Sequence, residues 1–207
     1  MNKGNIYIIS APSGAGKSSL IQALLSDHTL NDIKVSISYT TREMRTNEQN
    51  GIHYYFVSKK HFLSMIKNND FIEHACVFNN FYGTSKKIVE RIIKKKLDVI
   101  LNIDWQGARQ IKKQFSYTCS IFILPPSKEE LFRRLSFRGL DKNDSILNRI
   151  DQSINEIMHC YEYDYIIVNK NFEQAVIDLK SIIFSDRLRV RNQIKRNNIL
   201  FSKFNIY

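Results

Sequence analysis

The segment Ser10–Ser19 has the residue types and the spacing of a phosphate-binding loop. It follows an apolar strand candidate, Asn5–Ser10, and its Gly16–Ser18 triplet opens a helix candidate. In the pattern GxxxxGK[ST], glycines let main-chain N–H groups converge on a phosphate, and the helix N-terminus attracts the same anion. Ala11 replaces the usual first glycine, at a corner that needs only an ordinary backbone angle. The strand–loop–helix context therefore predicts a nucleoside triphosphate site, rather than a glycine-rich turn with a surface lysine.

The same loop supplies the polar groups that phosphate chemistry needs. We expect Lys17 to reach the β- and γ-phosphates and the hydroxyl of Ser18 to hold Mg²⁺, mostly through the nucleotide. The predicted nucleotide-binding residues of the loop are Ala11, Pro12, Ser13, Gly14, Ala15, Gly16, Lys17, Ser18 and Ser19.

A second polar cluster lies between residues 35 and 84 and suits a small phosphorylated acceptor. Arg42 and Arg45 are three residues apart in a polar segment, so their guanidinium groups could clamp one phosphate. The hydroxyls of Tyr54, Tyr55 and Tyr82 would add neutral donors to that phosphate. The alternatives left open are a solvated loop for the arginines and half-buried sheet packing for the tyrosines.

Apolar β-branched runs alternate with helical patterns along most of the chain. The predicted strands are Asn5–Ser10, Asp98–Ile103, Thr118–Leu124 and Tyr163–Val168, and the predicted helices are about Lys17–Ser26, Lys86–Lys95, Trp105–Gln114 and a long basic Phe172–Lys195. Strands that are apolar throughout and separated by helices are typical of a parallel sheet covered on both faces. The predicted fold class is therefore α/β, open and doubly wound.

Two stretches interrupt this alternation. Residues 35–84 carry strand candidates and a short helix, and they are typical of a small mixed-sheet insertion: Val35–Ile37, Tyr54–Val57, Phe71–Val77 and helix Lys60–Lys67. Residues 127–158 predict a helical hairpin, in which Ser127 and Glu130 form a capping box at the start of the first arm.

Composition excludes several classes of protein. Hydrophobic residues make up 43% of the 207 residues, and no apolar run approaches the roughly 20 residues that cross a bilayer, so no membrane partner is expected. The three cysteines form no CxxC pair, which argues against disulfides and zinc and favours a reducing cytoplasm. The net charge of +11 favours polyanions, but general enrichment in lysine explains it without a nucleic-acid partner.

Together these motifs resemble the guanylate kinases, a family of ATP:GMP phosphotransferases. The resemblance covers nearly the whole chain and rests on Ser10–Ser19, Ser38–Arg45, Gly51–Phe56, Phe71–Glu73, Tyr82–Thr84, Ile103–Gly107 and Arg134–Gly139. It implies a P-loop NTPase-like core at 1–34, 88–126 and 159–207, a GMP-binding insertion at 35–87 and a helical lid at 127–158. The implied reaction is ATP + GMP ⇌ ADP + GDP with Mg²⁺, in purine nucleotide metabolism and GMP recycling.

The resemblance also implies roles for individual residues. The GMP phosphate would be bound by Arg42, Arg45, Tyr55 and Tyr82, and the guanine pocket would be contacted or shaped by Ser36, Glu73, Thr84 and Asp104. Arg138 and Arg149 of the lid would close over the triphosphate, and Asn169 would lie near the adenine. The implied catalytic residues are Lys17, Arg42, Arg138 and Arg149. Asn102 departs from the family, which usually has an acidic residue two positions before Asp104.

Simpler roles are open for three of the guanine-pocket residues. Glu73 could form a salt bridge with a neighbouring lysine at a strand edge. Thr84 could be the N-cap of the following helix, and Asp104 could be only a helix cap. For Thr84, capping can coexist with nucleotide binding.

Other functions remain alternatives to a GMP kinase. Domains similar to guanylate kinases can lack catalysis and bind protein partners, although they typically have a degraded phosphate loop. A nucleic-acid-binding protein would rely on the basic stretch Arg187–Arg191 with Lys195 and Arg196, which no stacking motif accompanies. A kinase of another acceptor, such as IMP, is a further alternative. We expect dGMP to be accepted as well, and the sequence leaves open whether the protein is a monomer or a homo-oligomer.

Overall fold

The computed structural model describes residues 4–77, 79–137 and 143–205. Within these ranges the strands are β1 (Ile6–Ser10), β2 (Ile33–Ser36), β3 (Tyr39–Thr40), β4 (Tyr55–Phe56), β5 (Phe71–Val77), β6 (Asn80–Ser85), β7 (Asp98–Asn102), β8 (Cys119–Leu124) and β9 (Tyr165–Val168). The helices are α1 (Lys17–Leu25), α2 (Lys59–Lys67), α3 (Lys86–Lys94), α4 (Trp105–Gln114), α5 (Lys128–Phe137), α6 (Asn143–Met158), α7 (Phe172–Leu188), α8 (Val190–Arg196) and α9 (Asn198–Lys203).

A five-stranded sheet has the strand order β2-β7-β1-β8-β9. Strand β2 pairs with β7 in parallel, from Ile33 opposite Asp98 to Ser36 opposite Leu101. Strand β9 pairs with β8 in parallel in the same way. All five residues of β1 are buried, as expected for a strand of a sheet that is covered on both faces. The predicted α/β class is confirmed.

Strand β2 belongs to this sheet, whereas the sequence pattern predicted its last two residues, Val35 and Ser36, as part of the mixed insertion. The candidate Val35–Ile37 lies two residues later than the observed strand, Ile33–Ser36. The burial of Ile33 and the parallel pairing with β7 explain the difference, because both are properties of the folded sheet. The division of the chain into core, insertion and lid stays a prediction.

A second, four-stranded sheet has the order β4-β3-β6-β5 and is mixed. Strands β3 and β4 are parallel, whereas β6 runs antiparallel to both β3 and β5. Helix α2 packs on this sheet through a small apolar core of Phe62, Met65 and Phe71. The sheet therefore has its own hydrophobic core, which fixes the positions of the polar side chains described below.

The described chain divides into two compact units. The first contains Ile9–Asn31 and Cys119–Tyr207, and the second contains Lys3–Ile8 and Asp32–Thr118, in each case for the described residues. The phosphate loop lies in the first unit, and the predicted acceptor residues lie in the second.

The long helix predicted over Phe172–Lys195 is broken in the structure. Helix α7 ends at Leu188, and Arg189 has extended backbone angles before α8 begins at Val190. The side-chain amide of Asn192 donates to the carbonyl of Asp186 at 2.6 Å, so a side chain satisfies a carbonyl group near the helix end. Among the described residues, no helix has both the length and the apolar character needed to span a membrane.

Candidate active site

The phosphate loop joins the end of β1 to the first turn of α1. Gly14 and Gly16 have φ angles of 88° and 91°, in the left-handed region that glycine adopts without strain. A turn is closed by a hydrogen bond from the Ala15 N–H to the Pro12 carbonyl at 3.2 Å. Ala11 is not among the described residues with positive φ, so alanine is accommodated at that corner. The sequence and the backbone therefore agree on a loop that can surround a phosphate.

Two leucines of α5 lie against this loop. A methyl group built on Gly14 would lie 3.2 Å from Leu131 Cδ1 and 3.2 Å from Leu135 Cδ2. Both leucines are buried. Ser127 caps helix α5 as predicted, because its hydroxyl accepts a hydrogen bond from the Glu130 N–H at 3.1 Å. The Glu130 carboxylate accepts from Arg133 and Arg134 instead, so the structure shows only the Ser127 half of the predicted capping box.

Asn169 follows β9 and is hydrogen-bonded to the phosphate loop. Its side-chain amide donates to the carbonyl of Ala15 at 2.8 Å, and its own carbonyl accepts from Arg134 Nη2 at 3.2 Å. A methyl group on Gly16 would lie only 2.5 Å from the Asn169 amide nitrogen. The resemblance placed Asn169 near the adenine, and the structure places its amide against the loop that would hold the phosphates.

A cleft of about 380 Å³ opens beside the loop. It is lined by Gly14, Gly16, Ser19, Arg133, Arg134, Asn169, Lys170 and Phe172. The cations Arg133, Arg134 and Lys170 were not among the predicted site residues. Arg134 could have been inferred, because it belongs to the Arg134–Gly139 motif on which the resemblance rests. The three positive charges make the cleft suited to a triphosphate.

The structure describes neither side chain of the two predicted lid arginines, Arg138 and Arg149. Arg138 lies outside the described residues. Arg149 is part of α6, within a stretch whose side chains are not described. Their roles over the triphosphate stay predictions.

We expect Asn169→Ala to weaken both the fold and ATP binding. The substitution leaves the buried Ala15 carbonyl without the Asn169 amide, a loss worth about 1–3 kcal/mol. For a chain of this length the melting temperature should fall by roughly 2–12 °C. The KM for ATP should rise several-fold, while the KM for GMP stays within about twofold. A melting curve and initial rates at varied ATP test this, and an unchanged KM for ATP would show that the loop does not depend on Asn169.

Glu73 and Thr84 form a buried polar pair in the four-stranded sheet. They are opposite each other on β5 and β6, and the Thr84 hydroxyl donates to Glu73 Oε1 at 2.5 Å. Glu73 is only 3% exposed. Burial raises the pKa of Glu73 to about 7. The hydrogen bond from Thr84 lowers this pKa, and the nearby charge of Asp104 raises it further, so the net shift is upward. Glu73 thus has a hydroxyl as its partner rather than the lysine that the alternative required.

Thr84 and Asp104 were also considered as helix caps, with different outcomes. The N-cap of α3 is Ser85, so Thr84 does not cap that helix. Asp104 is the N-cap of α4, since its Oδ1 accepts from the Gly107 N–H at 2.9 Å. Its Oδ2 accepts from Gln106 Nε2 at 3.2 Å. The capping bond holds the Asp104 carboxylate in one orientation.

Ser36 ends β2, next to the strand that leads to Asp104. The register of Ser36 opposite Leu101 places both residues at the same edge of the sheet. Ser36 is 1% exposed, and within the described part of the chain its hydroxyl has no hydrogen-bond partner. A buried hydroxyl without a partner costs about 1–3 kcal/mol, so a ligand that bonds to it would regain that free energy.

Arg42, the first of the two predicted phosphate-binding arginines, lies among aromatic rings. Its guanidinium lies 5.6 Å from the ring centroid of Tyr54 and 5.7 Å from that of Phe56. Tyr82 packs edge-on against Tyr54, with the two ring centroids 5.9 Å apart. The ring of Tyr55 stacks on Tyr39 at 4.8 Å instead. The structure therefore places Tyr82 next to a ring that lies beside Arg42, whereas Tyr55 packs within the sheet.

The expected guanine pocket is tight on the side of α4. A methyl group on Gly107 would lie 2.4 Å from Glu73 Oε2. We expect Gly107→Ala to displace the Glu73 carboxylate and to raise the KM for GMP about tenfold or more. The KM for ATP should stay within about twofold, because alanine favours the helix by about 1 kcal/mol and the fold is retained. Initial-rate kinetics at varied GMP measure this, and an unchanged KM for GMP would contradict it.

Comparisons with known proteins agree with this geometry. The family model described as guanylate kinase matches residues 3–186. A guanylate kinase of Photorhabdus laumondii is 55% identical over 203 residues, which are 98% of each chain. A guanylate kinase of Buchnera aphidicola is 54% identical over 200 residues, 97% of each chain. The crystal structure of guanylate kinase from Anaplasma phagocytophilum matches with a TM-score of 0.80 at 35% identity, covering 100% of this chain and 98% of that one.

These similarities extend over the whole length of the chain. They confirm the resemblance inferred from the motifs and the P-loop NTPase-like core. The phosphate loop, the buried Glu73–Thr84 pair and the family match all point to the same protein class, and the chain belongs to the guanylate kinase family.

Proposed function

We propose that the two sites described above carry out the guanylate kinase reaction, in which the γ-phosphate of ATP is transferred to GMP. The products are ADP and GDP, and the reaction serves purine nucleotide metabolism and GMP recycling. The observation that supports the acceptor most strongly is the buried pair of Glu73 and Thr84, because it matches the hydrogen-bonding groups of guanine.

Guanine recognition follows from which groups donate and which accept. Guanine offers its N1–H and 2-amino group as donors, and its O6 accepts. Ionised Glu73, with Asp104 nearby, accepts from the donors. The Thr84 hydroxyl already donates its hydrogen to Glu73, so we propose that Ser36, whose buried hydroxyl has no partner among the described residues, donates to O6. Adenine lacks both donors and would leave a buried carboxylate unpaired. Sites built on such hydrogen bonds reject the wrong analogue by roughly 10⁴–10⁵.

The phosphate of GMP is the nucleophile in this proposal. It is already ionised at neutral pH, so no general base is needed. Arg42, Arg45, Tyr55 and Tyr82 would hold it, and the packing of Tyr82 against Tyr54, whose ring lies beside the Arg42 guanidinium, supports this role. Two arginines can bind one phosphate with parallel N–H···O bonds, which orient it as well as attract it.

The donor triphosphate is held by the first unit. Main-chain N–H groups of the loop and Lys17 would bind its phosphates, together with the cations of the cleft. The Ser18 hydroxyl is an exposed hard oxygen beside Lys17, which suits Mg²⁺. When bound with ATP, Mg²⁺ neutralises charge on the β- and γ-phosphates. Arg138 and Arg149 are proposed to stabilise the transferring group and to exclude water as the lid closes.

Asn102, at the end of β7, leaves this position without the carboxylate that is usual in the family. It occupies a position where an acidic residue is usual in the family, so we propose that Asp104 alone provides the carboxylate at this edge. Asp104 is already oriented by its bond to the Gly107 N–H.

A coupled assay of ADP release tests the proposal. ATP and Mg²⁺ are supplied with GMP, dGMP, AMP, UMP or CMP as acceptor. We expect turnover with GMP and dGMP only. A preference for AMP or UMP would overturn the guanine assignment, and no turnover with any acceptor would favour the alternative of a binding domain. The intact Gly16–Ser18 triplet argues against that alternative, because non-catalytic relatives typically lose it.

The location and assembly of the protein are also proposals. The three cysteines are free, with Cys119 and Cys160 buried and Cys76 exposed, which suits the reducing cytoplasm. Both proposed sites are built from residues of one chain, so either a monomer or a homo-oligomer could carry them.

A further inference from the structure

The segment between β3 and β4 carries both arginines proposed to hold the GMP phosphate. Residues 41–54 form no helix or strand, apart from a single bridge between Asn50 and Tyr54. Long arginine side chains on such a segment have considerable conformational freedom, and fixing each one costs up to about 2 kcal/mol. A phosphate site made from them therefore needs some group that fixes their geometry beforehand.

Glu48 connects the two arginines through its single carboxylate. Its Oε1 accepts a hydrogen bond from Arg42 Nη2 at 2.6 Å. Its Oε2 accepts from the main-chain N–H of Arg45 at 2.9 Å. The N–H of Glu48 donates to the carbonyl of Arg45 at 3.0 Å, which closes the turn between them. Both oxygens of the carboxylate are thus engaged, one by each arginine residue.

The contact with Arg42 is shielded from solvent. The side chains of Arg42 and Glu48 are 16% and 14% exposed. On its other sides the Arg42 guanidinium donates from Nη1 to the Glu43 carbonyl at 2.7 Å and lies over the rings of Tyr54 and Phe56. An exposed ion pair would contribute little order, but a largely buried one with aromatic walls has one strongly preferred geometry.

Glu48 is ionised at neutral pH in this arrangement. Burial opposes its charge, but hydrogen bonds from the Arg42 side chain and the Arg45 main chain outweigh burial, so its pKa is lowered. A negative charge beside a phosphate site repels the phosphate. Glu48 therefore does not favour GMP through its charge, and any benefit must come from the geometry that it imposes on the arginines.

We propose that Glu48 is a positioning residue for GMP, whose carboxylate holds the Arg42 side chain and the Arg45 main chain in the arrangement that receives the GMP phosphate. This inference rests on the proposed function, in which Arg42 and Arg45 bind that phosphate. Glu48 itself touches neither substrate.

The test compares Glu48→Ala and Glu48→Gln with Glu90→Gln, which removes one exposed carboxylate from α3. Glu48→Ala should raise the KM for GMP about ten- to a hundredfold, because Arg42 loses the bond at Nη2 and keeps only the one from Nη1 to the Glu43 carbonyl. It should leave the KM for ATP within about twofold. Glu48→Gln keeps an acceptor for Arg42 but not for the Arg45 N–H, so its KM for GMP should lie between those of wild type and Glu48→Ala. Glu90→Gln should match wild type.

A double-mutant cycle with Arg42→Ala separates positioning from a general structural role. If Glu48 acts through Arg42, then Glu48→Ala should raise the KM for GMP several-fold less in the Arg42→Ala background than in wild type, and the remaining effect should come from the lost bond to the Arg45 main chain. Equal effects of Glu48→Ala in both backgrounds would overturn the proposal. So would a lowered KM for GMP in Glu48→Ala, since that would make Glu48 a competitor of the phosphate.

Two further outcomes distinguish a failure of the proposed phosphate site from a failure of the positioning role of Glu48. If Arg42→Ala leaves the KM for GMP unchanged, the proposed phosphate site fails, whatever Glu48 does. If Glu48→Ala changes the KM for ATP as much as that for GMP, and its melting temperature falls, then the residue supports the fold and the positioning role is wrong.

Discussion

Lys17→Ala should lower kcat for GMP phosphorylation by about 10³-fold or more, the largest effect expected in this protein. Transfer of a phosphoryl group involves little covalent chemistry by the enzyme, so charge neutralisation and alignment supply most of the rate. Lys17 is the first residue of α1 and comes directly after Gly16, which has a positive φ angle. It therefore lies at the end of the turn that would surround the phosphates. The remaining N–H groups of the loop can still bind ATP, so the KM for ATP should change much less than kcat.

Steady-state rates of ADP release measure this effect, and a melting curve checks the fold. Lys113→Ala is the matched control, because Lys113 is an exposed lysine of α4 that lines neither proposed site. A Lys17→Ala enzyme that turns over within tenfold of wild type would remove Lys17 from the catalytic residues.

Glu73→Gln should raise the KM for GMP by about 10²-fold or more. Glutamine can still accept the hydrogen bond from Thr84. The glutamine NH₂ group, however, is a hydrogen-bond donor, and it would face the N1–H and 2-amino donors of guanine. Two donors cannot form a hydrogen bond with each other, so the contact is lost. Discrimination against AMP should fall together with GMP affinity, which initial rates with both acceptors would measure. An unchanged KM for GMP would mean that Glu73 does not contact guanine.

The pKa of Glu73 adds a pH dependence to this prediction. Burial raises the pKa to about 7, and in the proposed function GMP binds the ionised form. The KM for GMP should therefore rise as the pH falls below about 7, approaching tenfold per pH unit. The GMP phosphate also titrates near pH 6, so the comparison with Glu73→Gln isolates the part due to the carboxylate. A wild-type profile parallel to that of Glu73→Gln would contradict the assignment.

The same group lowers the stability of the unliganded protein at high pH. Between its ordinary pKa of 4.5 and the folded value of about 7, Glu73 binds more protons in the folded chain than in the unfolded one. Its contribution to the free energy of unfolding is fully present below pH 4.5 and is lost as the pH rises through 7, by about 3 kcal/mol. Glu73→Gln should therefore be more stable than wild type at pH 8, although it binds GMP poorly.

Some features could be predicted because local residue types determine them. The triplet Gly16–Ser18 predicted both the loop and the first residue of α1, since only glycine suits the left-handed turn there. Helix α4 was predicted with its observed bounds, Trp105–Gln114. The helix break at Arg189 was missed, because no glycine or proline accompanies it and the Asn192–Asp186 hydrogen bond exists only in the folded chain.

Other features depend on contacts between distant or equivalent residues. The roles of Arg134 and Lys170 in the cleft require α5 and the end of β9 to lie beside the phosphate loop. Glu48 could not be distinguished from Glu43 by sequence, because both are carboxylates in the same polar segment. The side-chain geometry alone separates them, since the carboxylate of Glu48 is the one bonded to both arginine residues.

The leucines that lie against Gly14 have an electrostatic consequence. Leu131 and Leu135 cover one flank of the phosphate loop with hydrocarbon, so water cannot solvate it from that direction. A lower effective dielectric on that flank strengthens every attraction between the triphosphate and the loop's N–H groups. The hydrocarbon side chains of α5 thereby increase the anion affinity of a loop to which they contribute no charge.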